Sequence, residues 1–340
     1  MLFRSFMHLA NFLVTGGNGM VGSHVILHLM QNNYNVIALK RSNASVRACK
    51  KLFHYYSCAH LFERIQWEEV NLNDPTEIEA FIIRHSISHV VHASGKVSFN
   101  ALDWQELWLS HVVHTRHLVN ASIGKAIRFI HISSLAVFQG TGDLEITENS
   151  QKNPDFKLSV YAHCKNQAEL EVWRAQAEGL DTVILNPGVI IAPGYEWRGS
   201  NSMFAKLKWS TRFYTSGSTG YIGAGDLARI IIQIAHESIT GERFICIERN
   251  LSYQELMECA RKTLSRKERS LMVPRVFLIL IWMCSSIGSF FLGRKTQFTK
   301  SLIHALTDQK NYSNAKLIQK LNIQLEPIPK IIEQILLSFK

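Results

Sequence analysis

The tyrosine and lysine of Tyr161-Ala162-His163-Cys164-Lys165 stand four apart on a segment whose pattern predicts a helix, so both side chains leave one face. A phenol titrating at about pH 10 is a poor base in neutral water. A neighbouring ammonium stabilises the phenolate and is expected to move the group toward the working range, where it can exchange a proton with a substrate oxygen. Ser134 closes the apolar run FIHISS, a predicted strand whose C-terminal end would deliver the hydroxyl into a ligand crevice. Tyr and Lys at this spacing also occur by accident. Their weight comes from Ser134 and from a second motif, all in the right order along the chain.

The second motif is Thr15-Gly16-Gly17-Asn18-Gly19-Met20-Val21-Gly22-Ser23-His24, set between a predicted strand and a predicted helix. Glycines there permit a tight turn and close approach of the backbone to a pyrophosphate, while the first helical turn offers N–H groups to the anion. Gly16, Gly19, Met20, Val21 and Gly22 are therefore the expected cofactor cradle, with a purely structural turn as the plain alternative. About 20 residues on, a NAD-selective site would carry an Asp or Glu at the end of the second strand. Here the strand reads NVIALKRS, and Lys40 and Arg41 take that place. The fork of Arg41 suits a 2′-phosphate, so NADP is the expected cofactor, with NAD as the other option. A solvated strand end is the alternative.

The elements that must position these groups follow from hydrophobic periodicity. Strand-length apolar runs fall at 12–15, 35–39, 65–70, 88–92, 128–133 and 181–186, and helical stretches at 20–32, 75–85, 104–122 and 160–178. Continuous runs such as HVVHAS and TVILN suit strands buried on both faces, and the alternation implies right-handed crossovers. The expected fold class is α/β, a doubly wound parallel sheet with a smaller C-terminal substrate-binding part. The expected division is 1–189 for the dinucleotide and 190–340 mainly for substrate, with segments near 220–247 returning to the first core.

Composition narrows the partners. The 340 residues carry 37 Lys and Arg against 27 Asp and Glu, a net charge of +10 that favours anionic ligands such as phosphorylated cofactors, nucleic acid or acidic lipid. Without a helix-turn-helix or RNP-like motif, nucleic acid is not an expected partner. The six cysteines form no C-x-x-C pair, so no zinc site or disulfide framework is expected, and a reducing compartment is the simpler reading. His111, His114 and His117 recur every three residues on one helix, which fans them over about 120°. No metal is expected there. The N-terminus runs straight into the first strand without a cleavage site, so no signal peptide is expected, and Met7 is as good a start as Met1.

Taken together, TGGNGMVG, YAHCK, VNLNDP, HVVHASG, FIHISSLAVFQG, LNPGVIIAPG and YIGAGDLARII resemble an extended short-chain dehydrogenase/reductase. This is the superfamily of NAD(P)-dependent epimerases, dehydratases and reductases, built on a Rossmann fold, and the similarity covers nearly the whole chain. The resemblance implies that Gly16, Gly19 and Gly22 hold the pyrophosphate and that Asn71 and Leu72 sit at the adenine. It places Ala93, Ser94 and Lys165 at the nicotinamide ribose, and Pro187 and Val189 near the nicotinamide. Ser134, Tyr161 and Lys165 would be the catalytic trio, and Asp226 a structural acid. Three positions depart from the pattern: Asn71 replaces an Asp, Asn186 replaces an Arg, and His111 replaces an Asn that orders a water.

Sugar dehydratases of the family place Asp and Glu directly after the catalytic serine. Leu135 and Ala136 stand there instead, which disfavours elimination. The KRS strand ending resembles the flavanone-type reductases and the 3β-hydroxysteroid dehydrogenases. The expected activity is an NADP-dependent interconversion of ketone and secondary alcohol on a hydrophobic, steroid- or flavonoid-like substrate. A NAD-dependent nucleotide-sugar epimerase and a non-catalytic NADP-binding protein are the alternatives.

Six basic residues lie between 261 and 275, followed by the apolar stretch 277–292. At 16 residues it falls short of the ~20 that span a bilayer. It reads as a lid over an apolar substrate, as a basic-flanked helix on a membrane surface, or as a core helix of the substrate part. A cytoplasmic protein with an option of peripheral membrane contact through 261–292 is expected. The closing segment matches the terminal helix, turn and helix of the family, as expected of a complete chain. Relatives often dimerise through the helices corresponding to 104–122 and 160–178, and substrate contacts are expected from 190–215 and beyond about 250.

Overall fold

The computed structural model describes residues 10–41, 44–98, 100–138, 145–150, 158–194, 201–267, 270–291 and 298–338. The alternative start Met7 and part of the expected substrate loop 190–215 lie outside them. The first half alternates strand and helix: β1 Asn11–Thr15, α1 Met20–Gln31, β2 Asn35–Leu39, α2 Arg47–Tyr55, α3 Ala59–Phe62, β3 Gln66–Glu68, α4 Pro75–Arg84 and β4 His89–His92. It continues with α5 Trp104–Trp108, α6 His114–Ser122, β5 Arg128–Ile132, α7 Val160–Ala177 and β6 Asp181–Pro187. The remainder comprises β7 Val189–Ile191, α8 Ser202–Trp209, β8 Phe213–Tyr214, β9 Ser218–Gly223, α9 Ala224–His236, β10 Glu242–Cys246 and β11 Arg249–Ser252. It closes with α10 Tyr253–Thr263, β12 Leu271–Met272, α11 Arg275–Phe291, α12 Lys300–Thr307, α13 Ala315–Leu321 and α14 Ile328–Ser338.

Seven strands form one sheet in the order β10-β6-β5-β4-β1-β2-β3, with every pairing parallel. The chain runs outward from β1 to β3, crosses back, and runs outward the other way from β4, so the order reverses between β1 and β4. A crevice opens at the carboxyl ends of the strands at such a switch point.

The pleat sends alternate side chains to opposite faces. Phe12, Val14, Val91, Ile130 and Val183 join Val25, Ile26, Ile230 and Ile234 of α1 and α9 in one core. Leu13, Val90, Phe129 and Ile184 join Ile78, Phe81, Leu118 and Val172 of α4, α6 and α7 in the other. Each such side chain contributes about 1.5–3 kcal/mol on burial. The sheet is thus packed on both faces up to the strand ends that carry the site.

After β6 the chain builds a smaller layer. The strands β7, β9 and β11 form a second sheet, and Phe204, Tyr221, Leu256 and Ile332 form its core with α8, α10 and α14. A capping box between Ser252 and Glu255 starts α10. The segment α9 and β10 returns to the large sheet before the chain leaves it again.

Two elements differ from the sequence pattern. The helix expected over 104–122 is interrupted by a π-helical turn, Leu109–Val113, between α5 and α6. The wider turn is seated by packing against a distant loop, which local periodicity does not encode. The core-helix reading of 277–292 is also corrected, because the described side chains of α11 are mostly exposed.

Candidate active site

The glycine loop closes on itself at the end of β1. Gly16 has φ +68°, and a Cβ there would stand 2.8 Å from Ser94 Cα. A Cβ on Gly22 would stand 2.3 Å from the Gly16 carbonyl oxygen. Side chains at these positions would force the turn and the helix apart. Gly19 is the N-cap of α1, with no side-chain cap and no acidic residue in the first turn, so the helix presents its N–H end, including Met20 and Val21, to an anion. These features fit a dinucleotide pyrophosphate.

The other expected cofactor positions follow the same edge. Lys40 is paired with Glu69, which leaves exposed Arg41 as the cation of the β2 end. The guanidinium lies close enough to His114 to add to the burial and the His117 charge that hold that imidazole down at about 4. His114 in turn bonds Asn73 of the Asn71-Leu72-Asn73 turn. Exposed Asn71 accepts from the Asn73 N–H, and half-buried Leu72 packs on the second core. At the switch point the Ser94 N–H donates to the Thr15 hydroxyl, 3.2 Å away, and Thr15 bonds the buried His92 at 2.8 Å. Ala93 and Ser94 are thereby fixed over β1. Buried Pro187 ends β6, and half-buried Val189 opens β7.

Ser134 follows β5 and faces the phenol of Tyr161 on α7, while its hydroxyl accepts from the Ala136 N–H at 3.2 Å. The expected depression of the Tyr161 pKa by Lys165 does not occur. Burial raises it, and Ser134 only partly opposes that. The reason is the placement of Lys165, whose ammonium donates to the Ile132 carbonyl, 2.7 Å away, at the end of β5. Burial lowers Lys165 to about 8, and Glu169 pulls against that shift.

His111 is turned inward by the π-helical turn. Its Nε2–H donates to the Lys96 carbonyl at 2.7 Å, and its ring meets Tyr161 edge-on at 5.5 Å between centroids. Burial, reinforced by the Lys165 charge, lowers its pKa to about 3. The imidazole is neutral with its tautomer fixed by a carbonyl. Only glycine fits at position 95, where a Cβ would lie 2.3 Å from the ring.

Sequence reasoning missed the support beneath the trio. Glu169 is buried one turn beyond Lys165, so Tyr161, Lys165 and Glu169 follow one face of α7. Its carboxylate accepts from Ser133 at 2.5 Å and from Asn186 at 2.6 Å, and Arg243 of β10 lies 3.6 Å away. Asn186 also donates to the Ser134 carbonyl at 3.2 Å. The departure at 186 is thus a buried bridge that ties β5, β6 and α7 together. The i+4 spacing of Glu169 was visible in the sequence, whereas Arg243 reaches it only through the return of β10. Asp226 pairs with Arg229 and accepts from the Glu326 N–H at 2.8 Å, joining α9 to the C-terminal segment. His111, His114 and His117 point to different partners, and the described residues hold no group of three metal-ligating side chains.

Residues 12–239 match the NAD dependent epimerase/dehydratase family, and the chain belongs to it. It is therefore a nicotinamide-dependent enzyme of the class that acts on CH–OH groups, on an extended short-chain dehydrogenase/reductase fold. It is 29% identical, over 54% of its length, to a Synechocystis protein that bears a dihydroflavonol 4-reductase name, and the match spans 50% of that protein. It is 21% identical to sterol demethylase protein B of Methylococcus capsulatus over 92% of each chain. The fold matches the crystal structure of UDP-glucuronic acid 4-epimerase from Bacillus cereus, in complex with UDP-glucuronic acid and NAD. The TM-score is 0.73 at 16% identity, covering 96% of this chain and 98% of the other.

Proposed function

We propose that the protein is an NADP-dependent oxidoreductase that interconverts a ketone and a secondary alcohol on a hydrophobic, steroid- or flavonoid-like substrate. The observation that carries this reading is the placement of Ser134, Tyr161 and Lys165 about the end of β5, on the sheet edge that also bears the glycine loop and Arg41. In this reading Gly16, Gly19, Met20, Val21 and Gly22 hold the pyrophosphate, Arg41 the 2′-phosphate, and Asn71 and Leu72 the adenine. Ala93, Ser94 and Lys165 hold the nicotinamide ribose, with Pro187 and Val189 beside the ring. Bound there, the nicotinamide supplies or accepts hydride.

Tyr161 carries its proton at neutral pH, because burial holds its pKa up. A neutral phenol is a donor: in the reductive direction Tyr161 gives its proton to the substrate oxygen as the carbonyl becomes an alcohol, in the oxidative direction it takes that proton back, and Ser134 orients the oxygen. His111 supplies shape and not a proton, since its one N–H is held by Lys96. Leu135, Ala136 and Val137 offer no acid or base for elimination.

The family match supports nucleotide-sugar epimerisation as the second reading, in which NAD stays bound and is recycled. The assembled trio weighs against a purely binding role. The test offers steroid and flavonoid ketones with NADPH, and UDP-sugars with NAD. Ketone-dependent NADPH oxidation is the expected result. Conversion of a UDP-sugar without ketone turnover would assign the chain to the epimerases, and inertness toward both panels would leave a binding protein.

A further inference from the structure

Helix α11 turns an apolar surface outward. Between residues 274 and 283 only Leu278 and Trp282 are not exposed, while Val276 is 69%, Phe277 60% and Leu280 51% exposed. Phe213, Leu271 and Met272 of the adjoining β8–β12 pair are exposed as well. Single exposed apolar residues are ordinary on protein surfaces, whereas a continuous patch marks a surface that meets something.

The charge of the sequence that carries the patch says what. Residues 261–307 hold nine Lys and Arg against one Glu, and nine minus one places +8 of the chain's +10 on this stretch. Lys262, Lys267, Arg275 and Lys300 are exposed. The Lys300 ammonium lies 4.7 Å from the centre of the Trp282 ring, and the Arg275 guanidinium lies 3.3 Å from the His304 ring. Cations thus flank the start and the middle of the helix.

We infer that this face docks on an anionic lipid bilayer, with α11 lying in the interfacial plane, its apolar side chains among the upper acyl chains and its basic neighbours at the headgroups. The 17 residues of α11 reach about 25 Å at ~1.5 Å each, short of a ~30 Å hydrocarbon core. No helix of the described residues is long and apolar enough to cross a membrane. A second copy of the chain is the poorer occupant. In a two-fold interface the patch would meet itself and oppose two strongly basic stretches. The docking face is independent of the chemistry assigned to Tyr161.

The full-length protein is tested by co-sedimentation with vesicles of phosphatidylcholine alone and of phosphatidylcholine with roughly 30% phosphatidylglycerol. Partitioning onto the anionic vesicles is expected to be at least about tenfold stronger and to weaken in about 0.5 M NaCl. Brominated acyl chains should quench a tryptophan placed on the exposed face by Leu280→Trp more strongly than the tryptophans of the wild type. Phe277→Ser combined with Leu280→Ser should abolish partitioning while retaining the cooperative thermal unfolding of the wild type. Equal or absent partitioning on the two vesicle types would overturn the inference, as would full binding by the double variant. So would a dimer that the double variant splits in a protein that binds no vesicle, which would give the face to a second copy.

Discussion

In the proposed reading Tyr161 and Lys165 divide two tasks, and their titrations should separate them. Lys165 holds its proton below about pH 8 and loses it above, because burial disfavours the charged ammonium. NADPH affinity, followed by tryptophan quenching across this range, should therefore decline as pH rises through about 8. Lys165→Met should be weak throughout and lose that inflection. The same shift acts on stability with a definite sign. Between about 8 and the ordinary lysine value the unfolded chain binds more protons than the folded one, so the fold gains stability as pH rises through that window. Tyr161→Phe should leave NADPH affinity within about twofold while lowering turnover by ~10²-fold or more. Comparable turnover in that variant would remove Tyr161 from proton transfer. Glu169 belongs to this scale too, since its carboxylate fixes Ser133 and Asn186 and so the strand end that carries Ser134.

The glycine loop and the π-helical turn show how elements serve the site, and how differently they are written in the sequence. The loop was legible, because Gly16 and Gly22 are required by their own turn and helix. Gly22→Ala pushes a Cβ against the Gly16 carbonyl, and the expected outcome is at least about tenfold weaker NADPH binding by titration, a loss of about 1.4 kcal/mol. Unchanged affinity would take the pyrophosphate off this loop. The π-helical turn was not legible, since it depends on His111 seating against Gly95 and Lys96, a contact between segments 15 residues apart. The depression expected for the Tyr161 pKa also failed at this scale. Helical spacing put Lys165 on the right face, but the carbonyl that takes its ammonium belongs to β5. The i, i+4 rule encodes neighbours along a helix and not competitors across a core.

The molecule as a whole combines a parallel sheet whose strand order reverses between β1 and β4, where this class of sheet binds its ligands, with an unevenly charged C-terminal part. The alternation of strands and helices made the sheet legible, because strands buried on both faces must be apolar throughout. The exposure of α11 was not legible, since an apolar helix reads alike whether it is buried in protein or left facing outward. The central claim concerns which dinucleotide the crevice selects, and it rests on Arg41 at the end of β2 with Lys40 already paired to Glu69. The measurement is the titration of wild-type protein and of Arg41→Ala with NADPH and with NADH, followed by tryptophan quenching. The account predicts that the wild type binds NADPH at least about tenfold more tightly than NADH, and that Arg41→Ala loses this preference with little change toward NADH. Equal or tighter binding of NADH by the wild type, or NAD retained through purification, would contradict it.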